Sequence, residues 1–499
     1  MASLRKIVNY FPLSFLLLPV FFVLHGWKEN YYYIPFRDIS ILLLTFLGAS
    51  ILLFFICLLF FRNKIKAGLY CFILLAIYFF FGAVQDLLKK YSFTEQVSRY
   101  KFLLPIILLT VIIFFFWLKR TKSSLQKINS FLNALLLILI LLDTVIIFTL
   151  PAEKKEKITA ESFLPSNQIC KDCSKPDIYF LLFDEYASSA ALKQFWNYDN
   201  SYFDSSLNQR GFHIIRNSQS NYNFTPFSMA SILNMSYLKG IKNVTACTLE
   251  DYSMCNNLIL NNGVTSCLRN NGYAFINYSI FDISGSPSVV YQSFLPLKAR
   301  LITEQTLFNR IKKDLGYMLL TGPLKIKWLA KKFFYEGQRN NDLFLKKLKE
   351  EPDGKKDKPE FIYAHFYMPH PPFYFDSSGK QRDEKTVIEE TKTNPVNSYL
   401  QYIGYTNTQI IQLVDTILKK SANPPVIIIM GDHGFRNCSG KEQSCYFKNM
   451  NAVYLPQKNY TGFYDSLSNV NEFRTVFNTI FEANFPILKD STIFLKDKQ

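Results

Sequence analysis

The chain has 499 residues, 49% of them hydrophobic, with nine cysteines and a formal net charge of +17, yet its mean hydropathy is only +0.05. A strongly apolar part must be averaged with an ordinary soluble part, which excludes one uniform globule. Met1 to Lys157 hold 18 basic and 7 acidic residues, so most of the excess charge belongs to the apolar part, and a nucleic-acid partner is not expected.

Five apolar stretches come first: Phe11 to Trp27, Ile39 to Phe61, Ala67 to Val84, Phe102 to Leu118 and Phe131 to Leu150. Each has about the 17 to 25 residues that a helix needs to cross a hydrocarbon core. Arg5 and Lys6 ahead of the first could mark a signal peptide, but no small-x-small cleavage site follows and the stretch reads as retained. Nine positive charges fall in the loops on one side (Arg5, Lys6, Arg62, Lys64, Lys66, Lys119, Arg120, Lys122, Lys127) and six on the other (Lys28, Arg37, Lys89, Lys90, Arg99, Lys101). The positive-inside rule then puts the amino terminus in the cytoplasm and everything after Pro151 outside, in a multi-pass protein of the cytoplasmic membrane with a periplasmic or extracellular domain. Asp143, near the middle of the fifth stretch, is costly there. It requires a polar partner on a neighbouring helix, or a role in shaping a path for a polar lipid head group.

Residues 152–175, with Lys154-Lys155-Glu156-Lys157 and then Pro165, Ser166 and Asn167, lack periodicity and read as a linker between a membrane domain, 1–151, and an outer domain, 176–499. The close pairs Cys247 with Cys255 and Cys438 with Cys445 could close disulfide loops in an oxidising compartment. Cys170-x-x-Cys173 has no second such pair to complete a zinc site.

The outer domain alternates strand and helix. Asp177 to Phe183 is a buried strand, Pro226 to Leu238 a helix, Tyr273 to Tyr278 and Phe361 to Tyr367 strands, and Ser398 to Lys420 a long amphipathic helix leading into a strand that ends at Asp432. The pattern predicts a mostly parallel central sheet with helices on both faces, so the fold class is a multi-pass α-helical membrane domain plus an α/β domain. In open α/β sheets ligands bind at the carboxyl edge of the strands. Asp184-Glu185 stands there after the first outer strand, and Gly431-Asp432-His433-Gly434 after the apolar run from Val426. An Asp oxygen and a neutral His nitrogen suit Zn2+ or Mn2+, although Asp-His is also common in plain surface turns. Thr225 precedes Pro226 at a helix start, as a simple cap or as a hydroxyl activated by a metal and the helix dipole. His370 stands on a rigid Pro-His-Pro-Pro turn, suited to an anionic group or a second metal, whereas His365, inside a strand, reads more readily as a packed core residue.

A strand ending in Asp184, a hydroxyl at a helix start about forty residues on, the His370-Pro371-Pro372 turn and the strand ending in Gly431-Asp432-His433-Gly434 resemble, in that order, the sulfatase-like branch of the alkaline phosphatase superfamily. A five-span anchor with an outer catalytic domain is similar to lipoteichoic acid synthases and lipid A phosphoethanolamine transferases. The resemblance implies a divalent metal on Asp184, Asp432 and His433, with Thr225 bound to it as nucleophile and His370 on the transferred phosphoryl group or a second metal. It also implies a phospholipid donor and an envelope glycan or lipid acceptor; hydrolysis is the alternative activity, and a non-catalytic binding module a more distant one. Two departures matter. Sulfatases carry Cys or Ser in Cys/Ser-x-Pro-x-Arg, whereas Thr225 is followed directly by Pro226 and Phe227 with no such Arg, which argues against sulfate-ester hydrolysis. The transferases usually place Glu where Asp184 stands, which leaves a role open for Glu185 as a substrate or second-metal group, alongside His365.

Overall fold

The computed structural model describes residues 11–91, 93–150, 159–160, 173–241, 243–290, 299–312, 334–350, 357–390, 393, 395–438 and 440–496. They form two compact units, one of residues 1–155 with 296–326, the other of 156–295 with 327–499.

The described residues of the first unit form five long helices, α1 (Ser14–Glu29), α2 (Phe36–Phe61), α3 (Lys64–Lys90), α4 (Tyr100–Arg120) and α5 (Gln126–Thr149), and a short one, Arg300–Thr303. Helices α2 to α5 are long and apolar enough to cross a membrane; α1 has 16 residues. Much of their apolar surface faces outward, as at Leu44, Leu52, Leu59, Leu141 and Phe148, a pattern that suits lipid and would be a liability in water. Asp143 on α5 is buried. Its partners are the Lys28 ammonium, which donates at 2.7 Å, and the His25 ring at 3.0 Å. The polar neighbour that its position demands is thus a cation from the end of α1.

Residues 299–312 belong to this unit although they come from the middle of the outer sequence. The Gly82 N–H donates to the Gln305 carbonyl at 2.8 Å, Arg310 forks onto Asp86 at 3.0 and 2.5 Å, and Ile302 fills the space where a Cβ on Gly26 would lie 2.6 Å away.

The second unit is built on six strands: β1 (Ile178–Phe183), β2 (His213–Ile214), β3 (Ala274–Tyr278), β4 (Glu360–Phe366), β5 (Val426–Met430) and β6 (Asn451–Tyr454). Their order across the sheet is β2-β6-β5-β1-β4-β3. Strands β5, β1, β4 and β3 run parallel, and β6 is antiparallel to β5 and to β2. All residues of β1 and β5 are buried, as expected where helices cover both faces of a parallel sheet and the strands lose their polar alternation. Each fully buried Ile, Leu or Phe contributes roughly 1.5–3 kcal/mol. Three helices frame the site: α6 (Thr225–Asn234), α7 (Val396–Lys420) and α8 (Glu472–Phe481). Helix α7 buries Tyr399, Tyr402, Ile403, Thr406, Ile410, Leu413, Val414 and Ile417, a helical stripe facing the core.

Of the two expected disulfide loops, Cys438–Cys445 is bonded. Cys247 and Cys255 are buried and are not bonded to each other. Cys247 precedes the helix cap Thr248, and Cys255 lies seven residues into the helix that follows. At 1.5 Å of rise per residue this is about 10 Å along the axis, beyond the reach of a bridge. Cys173 is disulfide-bonded, so it supplies no thiolate for a metal.

Candidate active site

Leu182 of β1 pairs with Met430 of β5 in parallel register, so the residues after the two strands emerge at one edge of the sheet. That edge is crowded. A Cβ on Gly431 would sit 2.5 Å from the Tyr186 carbonyl oxygen, and one on Gly434 only 2.3 Å from that of Cys445. The two glycines flank Asp432-His433 because neighbouring backbone approaches that closely.

Asp184, Asp432 and His433 converge there, fully buried, each offering one ligand atom within 4.8 Å of the others. His433 Nε2 lies 3.3 Å from Asp432 Oδ2 and 3.7 Å from Asp184 Oδ1. His433 Nδ1 lies 2.8 Å from the Gly434 carbonyl oxygen, which can only accept, so Nδ1 carries the proton and Nε2 presents a lone pair to the two carboxylates. Asp184 Oδ1 and Asp432 Oδ2 are buried without a hydrogen-bond partner. Burial and the Asp432 charge push the Asp184 carboxyl far up. Burial alone would raise Asp432 too, but His433, His365 and the Thr225 hydroxyl hold it below its ordinary value. Burial lowers His433, favouring the neutral ligand form. Two buried carboxylates and a lone pair with nothing to receive are the donor set of a divalent cation, and the residues fit one.

Thr225 meets the same point. The helix cap is Phe224, Thr225 and Pro226 occupy the first turn, and no side chain caps the helix. The Thr225 hydroxyl, expected as a possible cap, lies instead 3.4 Å from His433 Nε2. Ser228, one turn on, donates to the Asp432 carbonyl at 2.6 Å, which ties the start of α6 to the loop after β5.

A second cluster adjoins the first. Glu185 is buried and has left-handed backbone, φ 65°, a conformation costing about 1–3 kcal/mol that persists only where its surroundings enforce it. Tyr399 of α7 enforces it, donating to the Glu185 carbonyl at 2.9 Å and accepting from the Ala187 N–H at 3.0 Å, its ring stacked on Phe435. The Glu185 N–H donates to Asp432 Oδ1 at 3.0 Å, while its carboxylate accepts from the Arg436 N–H at 2.7 Å and lies 3.4 Å from Arg436 Nε. Burial would raise Glu185, but Arg436 and His370 hold it down. His370 Nδ1 donates to the Pro371 carbonyl at 2.6 Å, so its Nε2 accepts from Arg436 Nη2 at 2.7 Å; burial lowers it to about 4. His365 is buried on β4, 3.0 Å from the Tyr363 hydroxyl, with Nε2 unpartnered, and burial lowers it to about 4. It lies outside the three-ligand set. Arg436 escaped the sequence reading; its only signal was its place two residues after Gly434.

A family model described as Sulfatase matches residues 254–468, which include His370, Asp432, His433 and Arg436. The matched stretch of the chain is sulfatase-like. It begins after Asp184 and Thr225. No curated protein sequence matches the chain. Among solved structures, the C-terminal periplasmic domain of phosphoethanolamine transferase EptC from Campylobacter jejuni is similar at 13% identity, over 64% of this chain and 92% of that one, with a TM-score of 0.38. The corresponding domain of Escherichia coli EptC, in complex with zinc, is 10% identical over 68% and 92%, TM-score 0.37. The integral membrane lipooligosaccharide phosphoethanolamine transferase A of Neisseria meningitidis is 12% identical over 95% of both chains, TM-score 0.34.

Proposed function

We propose that this chain is a phosphotransferase of the cytoplasmic membrane that moves a phospho-head-group, of the phosphoethanolamine or phosphoglycerol type, from a phospholipid to an envelope glycan or lipid. The observation that carries this reading is the Thr225 hydroxyl, uncapped at the start of α6 and 3.4 Å from the nitrogen that also faces two unsatisfied carboxylates. In the first half-reaction Thr225 Oγ1 attacks the donor phosphorus, the P–O bond to diacylglycerol breaks, and the hydroxyl proton ends on the diacylglycerol oxygen. The start of α6 favours the developing negative charge. Arg436, held by the Nε2 lone pair of the neutral His370, is suited to the phosphoryl oxygens. In the second half an acceptor hydroxyl attacks the same phosphorus, the bond to Thr225 breaks, and the acceptor's proton returns to Oγ1. Asp184, Asp432 and His433 would hold Zn2+ or Mn2+, which as a Lewis acid lowers the pKa of the hydroxyl. Five apolar helices with the more basic loops inside would leave the catalytic domain outside the cytoplasm, facing lipid donor and glycan or lipid acceptor.

The test uses purified full-length protein with vesicles of phosphatidylethanolamine or phosphatidylglycerol. Diacylglycerol release and a phospho-head-group adduct on the peptide containing Thr225 are expected by mass spectrometry. Release without any adduct would replace the ping-pong transferase by direct hydrolysis; no release from either lipid would overturn the reading.

A further inference from the structure

The turn that carries Asp432 and His433 leaves the sheet at the end of β5 and stays buried, so its carbonyls lose their ladder partners without gaining water. Each must find a donor elsewhere. The Gly431 carbonyl accepts from Asn449 Nδ2 at 2.7 Å and from Asn469 Nδ2 at 3.3 Å. The Asp432 carbonyl accepts from Ser228 Oγ at 2.6 Å and from the same Asn469 nitrogen at 3.5 Å. All three side chains are buried. They come from three places: Ser228 from the start of α6, Asn449 from the chain just before β6, and Asn469 from the turn that leads into α8.

The two gripped carbonyls belong to the peptide planes on either side of the Asp432 Cα. A planar peptide leaves only φ and ψ free, so holding both planes fixes both angles and the direction in which the Asp432 side chain leaves the backbone. Its Oδ1 already accepts from the Glu185 N–H at 3.0 Å, and Oδ2 is left toward His433 Nε2. Ser228 lies one turn after Thr225, so the same grip ties the Thr225 hydroxyl to the ligands. The amides cannot turn over, because carbonyls only accept. Asn469 Oδ1 accepts from Asn449 Nδ2 at 3.0 Å and Asn449 Oδ1 from the Ser218 hydroxyl at 3.4 Å, which holds both nitrogens toward the turn. Asn471, two residues on and equally buried, serves another purpose. Its amide is taken up by Leu488, Tyr464 and Asp490.

We propose that Asn469, Asn449 and Ser228 are positioning residues that set the affinity of the Asp184, Asp432 and His433 site for its cation. The proposal rests on the metal assignment above. The experiment strips purified full-length protein with a chelator, titrates it with Zn2+ against a chromophoric competitor, and records the visible spectrum after loading with Co2+. Asn469→Ala, Asn449→Ala and Ser228→Ala, each shown to be folded by circular dichroism, should weaken Zn2+ binding about tenfold or more and alter the Co2+ spectrum. Asn471→Ala removes comparable buried hydrogen bonds away from the turn, and should keep Zn2+ affinity within about twofold and leave the spectrum unchanged. Ser228→Ala removes one oxygen and little volume, so the test stands even where an asparagine variant fails to fold. Wild-type affinity and spectrum in the three variants overturn the proposal and leave the metal assignment intact. An equal loss in Asn471→Ala overturns it too, since general loosening then explains the effect. Failure of the wild-type protein to bind either ion overturns the metal assignment itself, and the positioning role with it.

Discussion

Two clusters of charged side chains share one sheet edge and are built on opposite principles. Glu185 is paired with a cation, Arg436, which also donates to His370, and only its Oε2 lacks a hydrogen-bond partner, whereas Asp184 and Asp432 have no cation beside them among the described residues and leave one oxygen each without a partner. The first carries its own counter-charge. The second is expected to take a cation, because burying like charges together is costly. The contrast separates a group that positions from a group that binds.

The largest expected effect breaks the binding side. Thr225→Ala should lower turnover by a factor on the order of 10^4 to 10^6, as loss of a nucleophile does, while chemical denaturation shows a change of under about 1 kcal/mol, because no capping bond is lost. A large loss of stability with modest loss of turnover would return Thr225 to a structural role.

The positioning side breaks differently. Arg436→Ala strands the buried Glu185 carboxylate and should cost about 2–3 kcal/mol of stability, less than a fully dry pair because the guanidinium side chain is 31% exposed. The same urea-melt comparison with Arg436→Lys should recover only part of it, since an ammonium cannot reproduce the fork.

Glu472 sharpens the comparison as a buried acid in neither cluster. Burial raises it from 4.5 to about 7, against a hydrogen bond from Asn451 that lowers it. Its folded pKa lies above the unfolded one, so the stability it contributes is complete below about pH 4.5 and lost as pH rises through about 7. That interval corresponds to about 3 kcal/mol. Glu472→Gln should therefore be more stable than wild type by about 2–3 kcal/mol at pH 8 and no different at pH 4, measured by urea melts at the two values.

The smallest effect concerns Asp184, whose pKa burial and Asp432 also raise. In chelator-treated protein Asp184→Asn should raise the melting temperature by roughly 2–4 °C at pH 8, with the gain shrinking as pH falls. An unchanged melting temperature would mean that the two acids do not strain the metal-free fold.

Much of this was legible from the chain, for physical reasons. The runs Ile178 to Phe183 and Val426 to Ile429 are continuously apolar, so their place in a two-sided buried sheet was clear, and an acid follows each within three residues. The helices at Thr225 and Val396 were found within two residues of their starts. The short strand at the sheet edge, at His213, and its antiparallel neighbour at Asn451 were missed, being too brief for a period. Arg436 carries no local pattern; its meaning comes from Glu185, 251 residues away. The return of residues 299–312 to the first unit is likewise a long-range contact that periodicity does not encode.

Asp184, Asp432 and His433 are expected to hold one divalent cation that the chemistry needs. Elemental analysis by inductively coupled plasma mass spectrometry of active full-length protein, beside Asp432→Asn, measures it directly. One zinc or manganese ion per chain is predicted, lost together with turnover in the variant. Full activity in protein free of divalent ions, or in the variant, would contradict the account.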